Sequence, residues 1–295
     1  MSWDFGDVRV SRVVEQVVPL PVEFFSGATP ADLTEPALAP FVDAAGLLLI
    51  SIHSFLIEAG GTRIIVDTCA GNAKHRPLVP MFDQQDGPFL TELAAAGFDP
   101  DSVDMVVCTH LHVDHVGWNT TLVDGQWRPT FPRARYLFGQ GDIDFWSASS
   151  DPMHSPAFED SVRPVLDAGL VETVAADRTV APGVRLRMTP GHTPGHMCVW
   201  IGDDCVITGD VVHHPVQCGH PEWTATGDGD PDLARSARRD FLATAADGLP
   251  GCRIYDARPT ECRRYICTNA PADNPTHAQI ARLWRPDLPA PEPEG

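Results

Sequence analysis

Apolar and polar positions along this chain fall into short runs broken by turns, with few stretches of helical period. Residues 47–68, LLLISIHSFLIEAGGTRIIVDT, read as two strands joined at Gly60-Gly61, a dipeptide that takes up the positive φ of tight hairpins. Residues 88–98 then set Leu90, Leu93 and Ala94 on one helical face and stop at Gly97. A strand, VDMVVC, follows. The second half repeats the order: a strand, a turn at Gly202-Asp203-Asp204 and a second strand ending in Asp210, then a helix over 230–247 and a strand at 252–259. This pattern predicts an internal duplication of a strand, strand, helix, strand unit.

Composition narrows the classes. With 295 residues and 43% hydrophobic content the chain suits a single domain over 1–285, in which 1–45 form an N-terminal strand and loop extension. The Pro-rich end, 286–295, reads as a disordered tail. A net charge of −19 argues against nucleic acid or an anionic membrane as partner and leaves a small-molecule substrate. No run reaches the ~20 apolar residues of a membrane helix, and the start lacks the order of a signal peptide, so a cytoplasmic protein is expected. The eight cysteines never form a Cys-x-x-Cys pair, which leaves buried free thiols as the reading. Homo-oligomerisation is compatible with all of this and is not specified by any of it.

The chemistry concentrates after VDMVVC, where His110, His112, Asp114 and His115 lie within six positions. Neutral imidazoles and carboxylates suit a borderline ion such as Zn²⁺, and alternate residues such as His110 and His112 can face one side of an extended turn. Asp114 and His115, one step along, could face a second ion. The loop MTPGHTPGH offers His192, and ITGD offers Asp210, a carboxylate able to bridge two ions. The isolated His53, His75, His154 and His277 are expected to be solvated or locally bonded and stand outside the site. Trp118, Phe145, Trp146 and Trp223 are the aromatic candidates for its mouth, with the core as the commoner place for such residues.

THLHVDH, followed in order by TPGHTPGH and ITGD, resembles the signature of the metallo-β-lactamase superfamily over roughly residues 45–260. The resemblance implies an αββα sandwich of two mixed β-sheets with outer helices. It also implies that His110, His112 and His192 hold one ion, Asp114 and His115 another, and that Asp210 bridges them. Zinc is the expected metal, as one or two ions, with Fe or Mn suited to the same donors. DTCAGN, HVDHVGWN and GDVVHHPVQCGHPEW are most similar to the lactonase and organophosphate-hydrolase branch. The implied reaction is attack of a metal-bound hydroxide on a lactone, ester or phosphoester, with Asp114 or His213 moving a proton to the leaving oxygen. His213 stands where lactonases of that branch carry a tyrosine that polarises the carbonyl; it could donate the same hydrogen bond or be a solvent-facing loop residue. One departure stands out: the family's last histidine, before a Pro-containing loop, is replaced in IYDARP by Ala257. Asp256, His213, His214 or His220 could fill that place, and otherwise the second ion is weakly held. Two other readings remain on the sequence alone: a mononuclear non-haem iron dioxygenase of the same fold, and a catalytically inactive binding protein.

Overall fold

The computed structural model describes residues 2–34 and 36–248. The expected strand at 252–259, with Asp256 and Ala257, His277, and the tail at 286–295 lie outside the described residues.

The first sheet has seven strands in the order β1-β2-β3-β4-β5-β8-β9. Its antiparallel part is built from β1 (Ser2–Phe5), β2 (Val8–Leu20), β3 (Leu48–Ala59) and β4 (Thr62–Val66), with the β3–β4 hairpin turning at Gly60-Gly61 as the dipeptide predicts. Helix α1 (Phe89–Ala95) then leads into β5 (Met105–Val107), which pairs parallel to β4. A small hairpin of β6 (Thr120–Val123) and β7 (Gln126–Pro129) intervenes before β8 (Arg135–Gly139) and helix α2 (Gln140–Ala148). The short helices α3 (Ser155–Ala157) and α4 (Arg163–Asp167), joined by a π turn, precede β9 (Val171–Val174), and β8 and β9 extend the parallel part.

The second sheet, β10 (Arg178–Ala181), β11 (Val184–Met188), β12 (Met197–Ile201) and β13 (Cys205–Ile207), is antiparallel through the described residues. Helix α5 (Val216–Gly219) and the long α6 (Pro231–Gly248) follow. Asp230 caps α6, its carboxylate accepting from the N–H groups of Asp232 and Leu233, and Pro231 starts it where no N–H is needed.

Alternation along the strands makes the layers. Ile64, Val66, Met105, Val107 and Leu137 point from the first sheet into a core shared with Val184, Leu186, Val199 and Ile201 of the second. Ile65, Val106, Tyr136 and Phe138 point the other way, onto Phe89 and Leu93 of α1 and onto Phe158 and Val162. Behind the second sheet, Trp200 packs with Phe241 and Leu242 of α6. Helices therefore cover both outer faces of two packed sheets, as the αββα expectation has it. The N-terminal extension is more than an appendage. β2 pairs along its length with β3, and Phe25 and Val22 pack with Trp223 and Val216.

The loops after β4 and β5 close on each other at the C-terminal edge of the parallel strands, where open α/β sheets build sites. Thr68 N donates to His115 O, Gly117 N to Cys69 O and Trp118 N to Thr68 O. Gly117 is required at this crossing, because a Cβ there would lie 1.8 Å from the carbonyl oxygen of Ala70. Gly117→Ala is therefore expected to lower stability by at least ~2 kcal/mol, read as a shift in the urea midpoint. An unchanged midpoint would show that the two loops part without penalty.

Candidate metal centre

Three loops converge. The loop after β5 carries His110, His112, Asp114 and His115, the loop between β11 and β12 carries His192, and the turn after β13 carries Asp210. Oδ2 of Asp210 is approached by Nε2 of His110 at 3.6 Å, of His115 at 3.5 Å, and of His192 and His213 at 3.4 Å each. Nε2 of His192 lies 2.9 Å from Nδ1 of His112, and Nε2 of His115 lies 3.6 Å from Asp114. His110, His112 and His192 form one group with ligand atoms within 4.8 Å of each other; His110, His115 and Asp210 form a second.

These separations fit an ion. With bonds of 2.0–2.1 Å, two ligands of a tetrahedral Zn²⁺ sit roughly 3.3 Å apart, which is the edge seen around Asp210. Nε2 of His110 is buried without a hydrogen-bond partner, as are both ring nitrogens of His213. Such orphaned polar atoms are costly in a protein interior unless something outside the chain satisfies them.

Carboxylates behind the imidazoles fix which nitrogen faces inward. Asp67 accepts from Nδ1 of His115 at 2.9 Å, and from the N–H and hydroxyl of Thr109. Asp228 accepts from Nδ1 of His192 at 2.8 Å. With Nδ1–H so committed, Nε2 of each ring is the atom left for an ion. Asp142 accepts from the N–H groups of Leu111 and Gly195 and from Thr193 Oγ1, and so ties the first two loops together. His196 takes the N–H of Asp210 on Nε2 and anchors Nδ1 at Thr189 Oγ1. Asp67 holds φ of 59°, left-handed for a non-glycine residue, at the strand end where its carboxylate turns toward Thr109 and His115.

Charge follows burial. Burial holds the imidazoles of His110 and His112 well below their ordinary range. It acts the same way on His213, down to about 4. Burial also opposes charge on His115, but Asp210, Asp114 and Asp67 outweigh it and lift that imidazole well above its ordinary value. Burial would raise Asp210, yet His115, His213 and His110 hold its carboxyl well below the usual range. Protons and metal ions therefore compete for the same donors.

The residues expected from the sequence all lie in this cluster. His53 and His154, set aside as isolated, line the same cavity of about 1130 Å³. The ring of His154 stacks on His112 with centroids 4.1 Å apart, a contact from the loop after α2 that sequence spacing does not announce. His53 is anchored at Ser51 through Nδ1, and His75 stays exposed beside Asp83, both the local bonding expected. Of the aromatic residues, Phe145 and Trp146 line the cavity. Trp118 is instead buried against Phe89 with its indole N–H on Glu15, and Trp223 stacks on His220. Asp142, His196, Asp228 and Arg238 were not singled out as site residues. Two of the supporting residues lie in stretches that carry a signal: Asp67 ends the strand RIIVD as Asp210 follows ITG, and His196 closes the motif MTPGHTPGH.

The family described as Metallo-beta-lactamase superfamily matches residues 49–248. An N-acyl homoserine lactonase of Bacillus sp. is 27% identical over 168 residues, which are 52% of this chain, and the match spans 60% of that relative's length. That of Bacillus cereus is 26% identical over 170 residues, with the same shares of 52% and 60%. Among solved structures, the hydrolase AbOPH of the beta lactamase superfamily superposes with a TM-score of 0.68 at 24% identity, covering 83% of this chain and 86% of its own. AidC, a dizinc quorum-quenching lactonase, gives 0.67 at 23% identity, covering 84% and 86%. These two likenesses speak for the fold.

Acid should destabilise the metal-free protein. Burial lowers His53 and His196 to about 3 and His154, His213 and His214 to about 4, and lowers His110 and His112 as well. Below pH ~6.5 the unfolded chain binds protons that these folded imidazoles refuse, so stability falls with pH, by at most about 1.4 kcal/mol per pH unit for each. The raised His115 acts oppositely, its contribution being complete below pH ~6.5 and lost as pH rises through its folded value. Raised carboxyls at Asp114, Asp142 and Glu15 offset part of the loss at lower pH. The majority sets the sign: chelator-treated protein is expected to melt lower at pH 5 than at pH 7.5. A melting temperature that is flat or rises over that interval would contradict this account.

Proposed function

Because the chain belongs to the Metallo-beta-lactamase superfamily, we propose that it is a metal-dependent hydrolase that opens a lactone, ester or phosphoester of a small molecule. The observation that carries the reading is the convergence of His110, His115, His192 and His213 on one oxygen of Asp210 at 3.4–3.6 Å. His110, His112, His192 and Asp210 would hold one ion, and Asp114, His115 and the same Asp210 a second. Zinc suits this donor set. When bound, such ions acidify water and polarise a carbonyl or phosphoryl oxygen.

The chain's own groups have the remaining tasks. Asp114 is raised by burial and sits beside His115, where it can take a proton from water and return it to the leaving oxygen. His213, whose ring nitrogens make no hydrogen bond, can donate an N–H to the oxygen on which negative charge develops. Val18, Leu20, Phe24, Ile50, Ile52 and Met81 give the cavity an apolar wall that suits a small, largely uncharged substrate and excludes bulk water. A lactone heads the list, because the Bacillus relatives are N-acyl homoserine lactonases. Among the described residues no helix is long and apolar enough to cross a membrane.

The test is turnover of a γ-lactone, an aryl ester and an aryl phosphotriester by zinc-loaded protein and by the same protein after chelator. Metal-dependent lactone opening is the expected result. Failure on all three substrates, with oxygen uptake by the iron-loaded protein, would favour the dioxygenase reading instead. Within the active protein, His213→Phe is expected to lower kcat by roughly 10²-fold, the effect of removing one donor to a developing oxyanion, with zinc content unchanged. Loss of zinc together with activity would contradict a donor role for His213.

A further inference from the structure

Arg238, on α6, is wholly removed from solvent. A guanidinium keeps its charge, so its burial costs stability unless its donors find acceptors. Nε donates to the carbonyl of Val211 at 2.8 Å. Nη1 donates to the carbonyls of Trp223 at 2.5 Å and Pro221 at 3.4 Å, and Nη2 faces Oδ2 of Asp228 at 3.4 Å. Every one of these acceptors lies on the segment that leaves Asp210 and returns beside His192.

The ends of that segment are the site. Val211 directly follows Asp210. Asp228 gives its other oxygen to Nδ1 of His192 at 2.8 Å, and the N–H groups of Gly229 and Asp230 donate to the carbonyls of His192 and Gly191. Helix α6 itself presses on this loop: a Cβ on Gly191 would lie 2.4 Å from the backbone nitrogen of Ala234. One side chain on a rigid helix thus reaches both the turn of Asp210 and the carboxylate that directs His192. Folding alone does not call for a charge there, since well-packed apolar side chains commonly replace a buried ion pair without loss of stability.

We propose that Arg238 is a positioning residue of the metal centre: it fixes Asp228, and through it the ring direction and tautomer of His192, while holding the Asp210 turn in place. This rests on the reading that His192 and Asp210 bind metal.

The experiment is competition for zinc between a chromophoric chelator and four proteins: wild type, Arg238→Met, Asp228→Asn and the double variant. Each single variant is expected to hold zinc ~10–100-fold more weakly than wild type. The double variant should fall clearly short of the full product of the single effects, because the part of Arg238's effect that runs through Asp228 is shared. Arg238→Lys keeps the charge without the fork; it is expected to fall between wild type and Arg238→Met, and it gives the answer if the methionine variant does not fold. A variant that melts at lower temperature yet holds zinc within about twofold of wild type would overturn the proposal, and so would a double variant showing the full product of the single effects. A wild type that takes up no zinc would overturn the metal reading and this inference together, an outcome distinct from either of those.

Discussion

The carboxylate of Asp210 is the point on which the arrangement turns. A single oxygen faces four imidazole nitrogens at 3.4–3.6 Å, too far for strong hydrogen bonds, and three of them, from His110, His115 and His192, stand at the spacing of ligands that share a coordination shell with it. Burial disfavours protons on His110 and His112, while the carboxylates around His115 favour one there. Without a cation the cluster is a compromise between desolvated lone pairs and a buried charge. A divalent ion resolves both at once, which is why metal reading and electrostatics point the same way.

Holding that geometry takes most of the fold. Asp67 is delivered by the end of β4, Asp142 by α2, Asp228 by the segment before α6, and Arg238 by α6 itself. Each spans a large sequence separation to orient a group on another loop. The two sheets bring these loops to one edge, and the tight crossing at Gly117 holds the strand-end loops together. The helices outside the sheets therefore do more than cover apolar faces: Asp142 of α2 ties together the loops that carry the histidines, and Arg238 of α6 stands behind Asp228, the partner of His192.

What the sequence disclosed follows from distance along the chain. His110, His112, Asp114 and His115 are legible because four donors fall on one turn, and the β3–β4 hairpin because Gly60-Gly61 sits between two apolar runs. The first half of the expected duplication appears as the β3–β4 hairpin, α1 and parallel β5. The second half matches through β12, β13 and α6, and its last strand lies outside the described residues. Asp142 and Asp228 were not legible, since their partners stand 31 to 53 and 36 residues away and nothing local marks an aspartate as a support for a histidine. Whether Trp118 would face the mouth or the core was not legible for a related reason: the Glu15 that receives its indole N–H comes from β2, 103 residues earlier.

Anomalous diffraction at the zinc edge, on crystals of the zinc-loaded chain, tests the central claim most directly. The account predicts an ion within about 2.0–2.2 Å of His110, His192 and Asp210, in the space their side chains already frame. Zinc bound elsewhere on the chain, with His110 and Asp210 left without an ion, would contradict it.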